Sequence, residues 1–212
     1  MSHLDWRLIP VFLGLLFILV VPTTALAQGD DSLEGLVVNG TSGGPEIGAG
    51  VAVTLYVLQG GTETGSVETM TGDGGRFLCE GLATDAGLEY WPEVEYLGVP
   101  YRSAEPFRLD SDETALATTI TVFETTDDDS TVTLNSVHFI AASFGEMLRV
   151  SENHLFGNSG DRTYVGQPGE DGSLGTVDIP LPENAVGIAF EQENSANRFV
   201  EVGGGIIDTQ PV

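Results

Sequence analysis

Apolar residues in this chain recur at every second position, not every third or fourth. Val51, Val53, Leu55 and Val57 alternate with Ala52, Thr54 and Tyr56, which puts the first set on one buried face of a strand. Leu116, Ile120 and Val122 read the same way, as do Val177, Ile179 and Leu181, and Val186, Ile188 and Phe190. Between these runs lie Asn39-Gly40, Gly43-Gly44, Gly60-Gly61, Asp73-Gly74-Gly75 and Asp171-Gly172. Such pairs admit positive φ and mark tight connections between antiparallel strands. Only residues 141–150 have a pattern that admits a helical turn. Short strands at intervals of roughly 8–12 residues, without an amphipathic helix, predict β-sandwiches.

Residues 125–130, Thr-Thr-Asp-Asp-Asp-Ser, are polar and acidic, and strand-like sequence resumes at Thr131. The expected fold class is therefore all-β, with two β-sandwich domains in series: residues 31–125 and residues 131–212. Ahead of them, residues 1–27 read as a signal peptide. Arg7 precedes an apolar run over residues 9–22, and Thr24-Ala25-Leu26-Ala27 offers the small residues of a cleavage site after Ala27. That run is short for the roughly 20 residues that span a bilayer, which leaves an uncleaved anchor as the alternative. The expected location is extracytoplasmic: secreted, periplasmic or at the cell surface. Membrane association then requires an uncleaved signal or a C-terminal anchor beyond this sequence.

Charge narrows the partners. The 212 residues hold 32 Asp and Glu against 7 cations, a formal net charge of −25, and every cation is an arginine. Nucleic acid and anionic membrane surfaces are excluded as partners, because both require clustered Lys or Arg to replace counterions. The acidity fits either adaptation to high salt or a cationic partner in the envelope. One cysteine excludes an internal disulfide framework and a cysteine-based zinc cluster. Cys79 shares the two-residue period of Phe77, so a buried, inert thiol is expected.

From Gly35 to Phe123 the order of features resembles the carboxypeptidase regulatory-like domain, a seven-stranded sandwich of the transthyretin or prealbumin type. The residues carrying the likeness are Gly35-Leu36-Val37-Val38-Asn39-Gly40-Thr41, Gly50-Val51-Ala52-Val53-Thr54-Leu55, Thr71-Gly72-Asp73-Gly74-Gly75-Arg76-Phe77 and Gly81-Leu82. In that family these positions hold the sandwich together and do not catalyse, so the resemblance implies a carbohydrate-binding-like fold and no catalytic residue. The segment from Val94 to Tyr101 looks like a late hairpin of exported bacterial envelope proteins that carry this domain. Asn158-Ser159-Gly160-Asp161-Arg162-Thr163-Tyr164, followed by Ile179-Pro180-Leu181-Pro182, is similar to their second all-β region. Some of those proteins continue into a C-terminal membrane helix, and beside them this chain looks like a C-terminally truncated form.

Candidate sites come from three groups of residues. Tyr90, Trp91, Glu93 and Tyr96, with Glu89 and Glu95 beside them, form the densest aromatic and acidic cluster. Aromatic faces stack on sugar rings while carboxylates accept hydroxyl hydrogen bonds, which makes the cluster a candidate carbohydrate platform; the competing reading puts Tyr90 and Trp91 in the sandwich core. No cofactor is required by any motif, but calcium has candidate oxygen ligands in Asp110, Asp112 and Glu113, in Asp127–Asp129, and in Asn158 with Asp161. None of these matches an EF-hand loop, and solvated acidic loops are the competing reading. His154, with Glu152 and Asn153 adjacent and Glu146 upstream, is the one candidate centre for a metal-dependent hydrolase. No Gly-x-Ser-x-Gly elbow accompanies it. Asn39-Gly40-Thr41 meets the glycosylation pattern and is equally a turn.

The expected function is that of a non-enzymatic exported binding or spacer module, with an envelope glycan or protein as partner. A structural subunit of an envelope assembly is the alternative, because exposed sheet edges suit strand addition to a neighbour. A hydrolase is the third reading.

Overall fold

The computed structural model describes residues 31–84, 87–109, 115–168, 174–190 and 198–212. The signal-like segment and the candidate ligands Asp110, Asp112 and Glu113 lie outside these residues. The fold is all-β, and its only helical element among the described residues is a 3-10 turn over Asp73–Gly75.

Seven strands make the first region: β1 (Asp31–Asn39), β2 (Ala52–Gln59), β3 (Thr62–Met70), β4 (Arg76–Leu82), β5 (Leu88–Tyr96), β6 (Val99–Arg102) and β7 (Ala115–Val122). They pair as a three-stranded sheet ordered β4-β1-β7 and a four-stranded sheet ordered β3-β2-β5-β6. β1 runs antiparallel to β4 and parallel to β7, while every pair in the larger sheet is antiparallel.

Alternation decides what lies between the sheets. Leu33 and Val37 of β1, Phe77, Cys79 and Leu82 of β4, and Ile120 and Val122 of β7 form one buried cluster with Val53, Leu55 and Val57 of β2 and with Tyr90 and Val94 of β5. Leu33 and Leu55 are fully buried. A large aliphatic side chain buried in this way contributes about 1.5–3 kcal/mol, so the cluster is what holds the two sheets as sandwich-like layers.

Gly35 makes that packing possible. It stands opposite Phe77 in the β1–β4 ladder, and a Cβ placed on it would lie 2.0 Å from the Phe77 ring. The ring occupies the space that a side chain at position 35 would need. Gly75 closes the preceding turn at φ +75°, where a Cβ would also meet the Val37 carbonyl oxygen at 2.4 Å.

The second region pairs differently. β9 (Val132–Phe144) and β10 (Met147–Asn158) form a long two-stranded antiparallel ribbon. β8 (Thr125–Thr126) pairs in parallel with β11 (Thr163–Tyr164), and β12 (Gln167–Pro168) pairs with β13 (Leu174–Gly175). β14 (Val177–Pro180), β15 (Phe199–Val202) and β16 (Gly205–Asp208) form a sheet with β16 in the centre. Its buried hydrophobic residues, among those described, are Tyr164 and Ile206.

One local expectation is corrected, and the segment whose pattern admitted a helical turn is strand. Residues 141–150 are not helical: they form the end of the ribbon, turning at Gly145 (φ +62°). Residues 186–190 are not a strand, because Ala185 N–H closes a turn on the Pro182 carbonyl and Gly187 takes φ +69°. Phe190 instead stacks on Phe199, with ring centroids 4.1 Å apart.

Candidate functional site

The two-residue period of β5 splits the aromatic and acidic cluster between two faces. Tyr90 points inward and is buried; its hydroxyl donates to the Ala83 carbonyl (2.7 Å) and accepts from Ala83 N–H (3.0 Å). Tyr96 packs against the core, and its hydroxyl donates to Glu124 Oε1 at 2.6 Å. Trp91 and Glu93 take the other face, outward from the core. Trp91 and Glu93 are therefore brought together, and Tyr90 and Tyr96 are not in their company.

Register brings two further residues to the outward pair. Tyr56 of β2 stands opposite Trp91, and Arg102 of β6 stands opposite Glu93. The Arg102 guanidinium lies over both rings, 5.0 Å from the Tyr56 centroid and 5.1 Å from the Trp91 centroid, and it ion-pairs with Glu93 through Nε. Both separations fall within the ~6 Å at which a cation is attracted to an aromatic face. Tyr56 hydroxyl donates to Glu93 Oε1 at 3.2 Å, and Trp91 Nε1–H donates to the Ser103 carbonyl at 2.8 Å. The Tyr56 hydroxyl titrates above its ordinary range, first because of partial burial and then because of the Glu93 charge.

This arrangement can hold a flat, hydroxyl-bearing molecule. Its two rings supply apolar faces, Glu93 supplies acceptor oxygens, and Arg102 supplies donors on a side chain that is 45% exposed. Tyr56 and Arg102 were not among the sequence candidates. Tyr56 carries a signal, since it lies between inward Leu55 and Val57, but Arg102 is identified only by the β5–β6 register.

The side chains of Asn158 and Asp161 are both engaged in hydrogen bonds within the protein. Asn158 Oδ1 accepts from Thr131 Oγ1 and Gly160 N–H, and its amide donates to the carbonyls of Arg162 and Val212. Asp161 Oδ2 accepts from Ser42 N–H at 2.9 Å. Asp161 ties the first region to the second, while the partners of Asn158 all lie within the second. Buried Thr41 completes this seam: its hydroxyl donates to the Asp161 carbonyl and accepts from Glu124 N–H, each at 2.8 Å. Tyr101 hydroxyl meets Thr163 Oγ1 at 2.7 Å. No group of three His, Cys, Asp or Glu suited to a metal is gathered among the described residues.

The seam also employs Asn39, whose amide donates to Glu124 Oε1 and the Pro45 carbonyl while Oδ1 accepts from Thr41 N–H. His154 Nε2 bonds to Glu152 at 2.9 Å, whereas Glu146 sits at the turn of the ribbon, eight residues away along an extended strand and so roughly 25 Å distant. Burial pushes the Cys79 thiol up to about 11, so it stays protonated and poorly nucleophilic at neutral pH. Among the described residues no helix is long and apolar enough to cross a membrane.

The fold and the outward array define an all-β chain with an aromatic, carboxylate and guanidinium platform on one sheet. No family model, curated protein or solved structure matches this chain.

Proposed function

We propose that this chain is a non-enzymatic, extracytoplasmic binding module, and that the outward face of β2, β5 and β6 binds a carbohydrate. The observation that carries the reading is the convergence of Tyr56, Trp91, Glu93 and Arg102 on one sheet face. A pyranose ring lies on the indole of Trp91 once the half-exposed Arg102 side chain swings off that ring. Its hydroxyls donate to Glu93 and accept from the guanidinium. Tyr90 and Tyr96 serve from behind, fixing β5 through their bonds to Ala83 and Glu124.

We read residues 31–125 as one sandwich of the carboxypeptidase regulatory-like type and residues 131–212 as a second β-domain in series. The Gly35–Phe77 packing and the Asp73–Gly75 turn support the first assignment, because both fall on residues that carry the resemblance. The apolar run over residues 9–22 and the small residues before Gln28 support export.

The test is thermal unfolding of the full chain against a panel of envelope polysaccharides. A bound glycan raises the midpoint because it binds the native state preferentially. Trp91→Ala is expected to abolish the rise and leave the unliganded protein folded, since Trp91 lies outside the core. A panel that shifts nothing, or a shift unchanged in Trp91→Ala, sinks the reading. A structural role in an assembly is the second reading, favoured by the exposed ribbon.

A further inference from the structure

The ribbon of β9 and β10 leaves its apolar residues uncovered on both faces. Leu134, Val137, Phe139, Ile140 and Phe144 of β9, and Met147, Leu148, Val150 and Leu155 of β10, are all exposed, with Ile140 at 68% and Met147 at 67%. Register puts Val137, Phe139, Leu148 and Val150 on one face, and Ile140, Phe144, Met147 and Leu155 on the other. Each bares about half of a large side chain, so each face presents on the order of 500 Å², the size of the largest apolar patch on a typical monomer. Among the described residues no other strand pairs with either edge of the ribbon.

Charge distribution selects the occupant. Against a net charge of −25, the 13 residues of β9 contain no Asp, Glu, Lys or Arg, and they contain no Gly or Pro. Charged residues and proline are the usual means of blocking an exposed edge, and β9 has neither. Two copies of so acidic a chain repel across most of their surfaces; β9 against β9 brings no carboxylates face to face. Lipid suits the ribbon poorly, because its edges would leave unpaired N–H and C=O groups in hydrocarbon.

We propose that β9 pairs antiparallel with β9 of a second copy about a two-fold axis near His138, giving a four-stranded sheet ordered β10-β9-β9-β10. This pairing satisfies the free β9 edges of both copies. With the axis at His138, Phe139 stands opposite Val137 of the second copy, and Ile140 opposite Ser136.

Sedimentation equilibrium of the full chain tests this, with residues 1–30 unchanged in every variant. The wild type is expected to sediment as two copies. Ile140→Lys and Phe139→Lys are expected to raise the dissociation constant by at least about tenfold, since each puts an ammonium on the uncharged pairing strand, Phe139→Lys directly opposite Val137 of the second copy. Either substitution lowers the net negative charge, so a loss of association cannot come from greater long-range repulsion between the acidic chains. Val186→Lys, outside the ribbon, is expected to have no effect. Independently, His138→Cys is expected to form a disulfide between copies under mild oxidation, and Met70→Cys on β3 is not. A single-copy mass at every concentration overturns the proposal. So does association that survives both Lys variants, or flotation of single copies with phosphatidylcholine vesicles.

Discussion

The first region and the ribbon are built from the same alternating pattern, yet one hides its apolar residues and the other displays them. In β2, inward Val53, Leu55 and Val57 meet β1, β4 and β7 across the core, and the residues between them face outward. In β9, apolar residues occupy both parities, and neither face is covered. A period of two specifies a strand; it does not say whether a second layer will be there to receive it.

The largest effect that sharpens this contrast comes from making one kind of truncation in both places. Leu55→Ala removes a fully buried side chain and is expected to cost about 2–5 kcal/mol. Ile140→Ala, deleting a similar group from the ribbon, is expected to stay within about 0.5 kcal/mol when measured on separated chains. Denaturant unfolding of the two variants reads both numbers. A comparable loss in each would mean that the ribbon is packed in the solution monomer.

Next is Gly35→Ala. With the Phe77 ring 2.0 Å from the new Cβ, β1 and β4 must shift, and overpacking of this kind costs about 1–3 kcal/mol. Phe77→Leu in the Gly35→Ala background is expected to restore part of the loss, as a flat ring gives way to a smaller side chain. Stability of the double variant at or below that of Gly35→Ala would show that backbone conformation, not ring contact, sets the need for glycine.

The second region relies more on polar anchoring. Arg198 and Asp208 make a two-point pair, Nε to Oδ1 at 2.7 Å and Nη2 to Oδ2 at 2.5 Å, with Asp208 almost fully buried and also accepting from Gln210 N–H. Asp208→Ala is expected to cost about 1–2 kcal/mol, discounted because Arg198 keeps access to water. Hydrogen exchange is expected to rise over β14, β15 and β16 and to stay unchanged over β1–β7. Equal acceleration in both regions would make them one cooperative unit.

How much of this was legible in the sequence follows from the range of each interaction. The inward residues of β2 and β4, Cys79 included, are readable because burial follows local alternation. Trp91 and Glu93 are readable as candidates, but their separation from Tyr90 and Tyr96 and their union with Tyr56 and Arg102 depend on strand register. Asn158 and Asp161 looked like ion ligands because their partners, Thr131, Val212 and Ser42, come from distant parts of the chain. The acidic stretch over residues 125–130 read as a polar break between two domains; within it Thr125 and Thr126 pair with β11 and Asp128 accepts a bond from Ser130 N–H. That bond lowers the Asp128 pKa. The run from Val137 to Ala142 carries apolar residues at both parities, a pattern that on its own points to a strand covered on two faces, whereas both faces are exposed.

The smallest effect concerns the seam that joins the two regions, and it is a pH effect. The Tyr96 hydroxyl and the Asn39 amide both donate to Glu124, and these bonds, Tyr96 first, hold its carboxyl below the usual 4.5. The stability Glu124 contributes is therefore complete above 4.5 and disappears as pH falls through its lower folded value. The same bond, followed by burial, pushes Tyr96 up from 10.0 to about 12, so its contribution is complete below 10.0 and is lost as pH rises through 12. Tyr96→Phe removes the shared bond. The difference in thermal midpoint between wild type and Tyr96→Phe is accordingly expected to be level between pH 4.5 and 10.0 and to close on either side. A difference that persists unchanged into acid would place the role of Tyr96 in packing against the core, and the seam would then hold its two regions together without help from the Glu124 charge.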